Sequence, residues 1–104
     1  MELLKTQVQN SLQLRPDLVE KVSNDEELLK LIEELVTELV NNDFERLLLM
    51  LYRLDVSEQK VKQAIDAAGP ANASRNIAEL ILAREKEKAV SREQYKTDNP
   101  EWEF

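Results

Sequence analysis

One glycine and three prolines in 104 residues leave this chain few places to turn. A β-meander or sandwich needs a turn signal about every 8–12 residues. The apolar residues between the few breaks recur instead at steps of three and four, the period of a helix with one buried face. The expected fold is therefore all-α: a compact bundle of about five helices. At this length there is room for one core and one domain. We place that domain at residues 1–96 and read residues 97–104 as an acidic-aromatic tail.

The breaks define the elements. Leu4, Val8 and Leu12 form a narrow stripe that ends at Arg15-Pro16, because the residue before proline avoids the α region. Pro16 suits the first position of a short second helix reaching Val22. Ser23-Asn24-Asp25-Glu26-Glu27 is a helix start in which Ser23 with Glu26, or Asn24 with Glu27, can form a capping box. From it Leu28, Ile32, Leu35 and Leu39 run toward Asn41, with Glu33, Glu34 and Glu38 on the wet side. Asn42 with Glu45 repeats the capping pattern. The helix that follows, residues 44–54, is apolar nearly all round, and such a helix is expected to be surrounded by protein. It is the expected centre of the bundle.

Ser57 should cap the next helix, and Gly69-Pro70 should end it, with glycine supplying a left-handed residue and proline forbidding continuation. The last helix starts within Ala71–Ser74 and turns Ile77, Leu80 and Ile81 inward. Past Arg84 its stripe fades into alternating charge, so its second half is expected on the surface. Tyr52 and Arg53 suggest a latch at the end of the central helix, Arg53 facing the negative helix end and Asp55.

Chemistry is thin. The chain has no Cys and no His, which removes disulfides, thiolate nucleophiles, zinc sites of the usual kind and imidazole acid/base groups. Ser57 and Ser74 fall where caps are needed and have no base at motif spacing. The carboxylate clusters lie on predicted wet faces, where nothing splits their pKa values. We expect no enzyme activity, no catalytic residue, no cofactor and no metal. The start Met1-Glu2-Leu3-Leu4-Lys5 lacks the layout of a signal peptide, and the apolar run Leu47–Tyr52 is too short to span a bilayer, so a cytoplasmic protein off the membrane is expected.

Charge points to partners. The net charge is −7, and residues 1–56 hold six Lys and Arg against twelve Asp and Glu. This repels phosphate backbones and weighs against nucleic acid. Arg84 to Lys96 is the net-basic stretch, with five Lys and Arg against three Glu. Arg84, Lys88 and Arg92 stack there at i,i+4 into a ridge suited to an acidic partner, and we expect it to meet acidic surface either in cis or on a second copy. Trp102 and Phe104 stand in the tail, and a disordered acidic terminus gains nothing from Trp. We therefore expect Trp102 to dock in an apolar groove, in cis or on a second copy.

The stretch Asn42 to Lys62, with its wording Asp43-Phe44-Glu45-Arg46-Leu47-Leu48, then Leu51-Tyr52-Arg53-Leu54-Asp55-Val56-Ser57-Glu58-Gln59-Lys60, resembles a family of short bacterial proteins with no assigned activity. The similarity continues through Ile77-Ala78-Glu79-Leu80-Ile81 and the basic stretch. It implies a helical bacterial protein and carries over no site residue. The function expected is a small non-enzymatic interaction or regulatory module working through helical surfaces on a protein partner or as a homo-oligomer. The alternative is a nucleic-acid-associated regulator using residues 72–96.

Overall fold

The computed structural model describes residues 2–69 and 72–98, with side chains described through Ser91. Six helices follow one another: α1 Glu2–Leu12, α2 Pro16–Glu20, α3 Asp25–Asn42, α4 Phe44–Arg53, α5 Glu58–Ala68 and α6 Ser74–Asp98. No strand occurs among the described residues. This is the all-α bundle that the spacing of apolar residues predicts.

Helices α3, α4 and α5 begin where a side chain satisfies an orphan amide, and α2 begins at Pro16, which has no amide hydrogen to satisfy. Asn24 caps α3 by accepting from the Glu27 amide at 2.9 Å. Glu27 reaches back to the Ser23 amide and hydroxyl, each at 2.7 Å. The Ser23 hydroxyl, and then its amide, hold the Glu27 carboxyl below its ordinary value. Ser57 caps α5 by accepting from the Lys60 amide. At α4 the cap is Asp43, which accepts from the Arg46 amide at 3.1 Å. Asn42, the expected cap, instead closes α3 by donating to the Glu38 carbonyl at 3.0 Å.

The helix ends reveal turns that the sequence conceals. Gly69 has φ +80° and ends α5, as its residue type predicts. Gln13 and Asp55 also adopt positive φ, at 54° and 60°. Leu14 donates to the Gln9 carbonyl, Val56 to Leu51 and Asp55 to Tyr52. These are Schellman closures of α1 and α4, built with Gln and Asp where glycine is the usual choice. They let a chain with one glycine reverse direction at the ends of three helices.

The centre of the bundle is α6, not residues 44–54. Ile77, Ala78, Ile81, Leu82, Glu85 and Ala89 are all buried along it, at helical spacing, and Ala73 is buried just before it. Alanines on that stripe bring neighbouring backbones close, and α6 packs against α3, α1 and α5. Its 25 residues span about 37 Å at 1.5 Å per residue, most of the molecule's longest dimension of 47 Å. By contrast α4 buries Leu47, Met50, Leu51 and Leu54 on one side, while Leu48, Leu49 and Tyr52 are 44, 69 and 86% exposed. A ten-residue helix has too little neighbouring chain to cover all its sides. Its helical face is chosen by what packs against it rather than by how apolar it is.

The stripe of α6 does not fade after Arg84. It continues through Glu85, fully buried, and Ala89. One Glu Oε1 accepts from the Gln7 side-chain amide of α1 at 3.1 Å, and Lys88 Nζ lies 3.2 Å from Oε2. Gln7 also donates to Ser11 at 2.9 Å. A buried carboxylate is tolerable only with such partners.

Candidate interaction surface

Helix α4 supplies the largest exposed apolar side chains in the bundle. Phe44, Leu48 and Tyr52 stand at i, i+4 and i+8, one above another on the outer face, and Leu49 flanks them. The inward Leu47, Met50, Leu51 and Leu54 fix that orientation, because they pin the opposite face in the core. Isolated exposed leucines are ordinary, but four large apolar side chains together on one helix form a patch.

A groove runs along each side of this ridge. Toward α3 and the end of α1, Leu12, Leu35, Leu39, Leu49 and Met50 line a hollow of about 360 Å³, with Gln13, Glu38, Arg46 and Arg53 around it. Toward α5, a smaller hollow of about 190 Å³ lies between Leu48, Leu51, Tyr52, Val56, Glu58 and Val61. Both are open surface depressions. Arg53 does not face Asp55 as its position suggested. It donates across 3.3 Å to the Ser11 carbonyl at the end of α1, and Tyr52 projects into solvent instead of latching the next turn.

The basic ridge meets acid in cis at Arg84. Arg84 donates to Asp55 Oδ2 at 2.9 Å and to the Asp55 carbonyl at 3.2 Å, clamping the left-handed turn after α4 onto α6. Lys88 pairs with buried Glu85. Elsewhere on α6, Lys86 lies 2.6 Å from Asp25. Arg75 binds Glu26 at 2.9 Å and Glu33 at 3.4 Å. The bond from Glu26 holds the Arg75 guanidinium above its ordinary value. Arg75, Arg84 and Lys86 thus meet the acidic first half of the chain in cis, while Lys88 stays with Glu85 on α6. Arg92 lies on α6 with its side chain outside those described, and Trp102 and Phe104 lie outside the described residues.

Among the described residues no three Asp or Glu side chains converge as a metal site, and no helix is long and apolar enough to cross a membrane. No protein family, curated protein or solved structure matches the chain. The surface must be read from its own chemistry. Sequence inspection missed α4's outer face because its all-round apolarity pointed to burial. The signal that would have revealed it is the short length between two caps, Asp43 and Asp55, which limits what can surround it.

Proposed function

We propose that this protein is a small non-enzymatic interaction or regulatory module of the bacterial cytoplasm, acting through a helical surface on a protein partner. One observation carries the reading: Phe44, Leu48, Leu49 and Tyr52 stand exposed together on α4, whose opposite face is locked in the core. Aromatic and large aliphatic anchors beside grooves are the usual seats of binding energy between proteins. The resemblance of residues 42–62 to short bacterial helical proteins supports the setting.

The nucleic-acid alternative draws less support. A phosphate-binding face needs cations free to replace counterions. Arg75, Arg84, Lys86 and Lys88 are instead engaged by Glu26, Asp55, Asp25 and Glu85.

Site-specific photo-crosslinking tests the reading in the cells that make the protein. A crosslinker at Tyr52 is expected to give a discrete protein adduct that disappears when Leu49 is replaced by Glu. Crosslinking at Tyr52 no stronger than at Glu34, on the wet side of α3, would overturn it.

A further inference from the structure

In a chain with 21 acidic and 14 basic residues, most arginines have carboxylates to hand. Arg15, Arg75 and Arg84 each form an ion pair. At the α3/α4 groove the pattern breaks. Arg46 and Arg53 form no ion pair among the described residues, and Arg53's recorded bond is to a backbone carbonyl. Two exposed guanidinium groups therefore border an apolar floor of Leu35, Leu39, Leu49 and Met50, with Glu38 the one acid around it. A ligand complementary to this groove carries an apolar group flanked by negative charge.

The chain itself contains such a segment. Residues 98–104, Asp98-Asn99-Pro100-Glu101-Trp102-Glu103-Phe104, place two aromatics among three acids with no base. We propose that the α3/α4 groove receives this segment from a second copy of the chain, with Trp102 on the apolar floor and Glu101 and Glu103 against Arg46 and Arg53. Reach favours the second copy. Arg53 lies two residues from Asp55, which pairs with Arg84, so the groove sits level with the middle of α6. From Arg84 to Asp98 the helix advances about 21 Å. Trp102, four residues further, reaches back at most about 14 Å. The groove therefore lies beyond the reach of the chain's own Trp102. This inference deepens the interaction reading by naming the occupant of one side of α4.

The test uses the chain's single Trp. Full-length protein carrying Trp102→Phe has no Trp emission, so a synthetic peptide of residues 97–104 reports binding through its own indole. The expected result is a saturable blue shift. Arg46→Glu with Arg53→Glu should weaken it by about tenfold or more, whereas Glu34→Gln, on the wet side of α3 and outside the groove, should leave it unchanged. Arg46→Gln and Arg53→Gln provide a second pair, and circular dichroism checks that each variant is folded. No shift at millimolar peptide, or binding indifferent to both arginine pairs, overturns the proposal. So does a blue-shifted Trp in wild-type protein that sediments as a monomer, since that means docking in cis. Any of these results with Tyr52 crosslinking intact removes this occupant and leaves the interaction reading standing.

Discussion

Helices α4 and α6 reverse the roles that their compositions suggest. Seven of the ten residues of α4 are apolar or aromatic, yet half of its surface faces water. Helix α6 is rich in charge and places alanines among its buried residues, yet α3, α1 and α5 all pack against it. Burial follows neighbours more than hydropathy. A long helix with small residues in register can be approached closely by three others, whereas a short helix at the edge finds partners on one side only. The surplus apolarity of α4 then becomes available surface.

The comparison breaks first, and by most, at the core of α6. Ile77→Ala or Ile81→Ala empties a fully buried site and should cost about 2–5 kcal/mol. Leu51→Ala, on the inward face of α4, belongs in the same range, while Leu48→Ala, half exposed, belongs well below it. Thermal and urea denaturation measure the difference. If Leu48→Ala costs as much as Ile81→Ala, α4 is as central as its composition suggests and the contrast fails.

A second, smaller effect lies in the polar seam between α1 and α6. Gln7→Leu removes the amide that serves Glu85 and leaves a buried carboxylate short of a donor, at about 1–3 kcal/mol. Combining it with Glu85→Leu should recover most of that loss, because an apolar pair of similar volume needs no hydrogen bond. A double variant no more stable than Gln7→Leu alone would mean that the carboxylate is not the source of the cost.

Next comes the clamp joining the two helices. The Arg84–Asp55 pair is largely solvent-exposed, so Arg84→Ala should cost about 1 kcal/mol or less, shrinking as salt is raised. Asp55→Gly separates the two roles of that residue. It relieves a left-handed backbone while losing the ion pair, and its net effect should therefore be smaller than that of Asp55→Ala, which loses the pair and keeps the strain. Chemical denaturation at low and high salt distinguishes these outcomes.

How much of this was legible follows from the range of each interaction. Pro16, Asn24 with Glu27, Ser57 and Gly69 act within four residues, and their helix boundaries could be read directly. Gln13 and Asp55 close their helices by backbone geometry, which neither residue type announces. Glu85 looked like part of a solvated charge run, because its partner Gln7 lies 78 residues away. The ridge of Arg84 and Lys88 was legible as a pattern that seeks acid, but not which acid, since Asp55 becomes the neighbour of Arg84 only through folding. Capping is local and visible; the choice of central helix is a tertiary property and is not.

The last test concerns the side of α4 that the core does not use. Replacing Leu49 or Tyr52 by Gln removes apolar surface that is already in water in the folded state, so little burial is lost on folding. Substitutions away from core, caps and buried networks usually change stability by less than about 0.5 kcal/mol. We expect that here at concentrations too low for copies to associate, with the helix content unchanged by circular dichroism. Binding of a hydrophobic dye should nevertheless fall, since the four side chains that make the patch are then two aliphatic or aromatic groups fewer in the double variant. The two readouts together isolate the surface from the fold. A large loss of stability in Leu49→Gln would mean that this residue is covered in the native protein. Because its own chain leaves it 69% exposed, the cover would have to come from another molecule. Concentration dependence of the melting temperature in the wild type would then identify that molecule as a second copy, while a concentration-independent loss would contradict the exposed ridge outright.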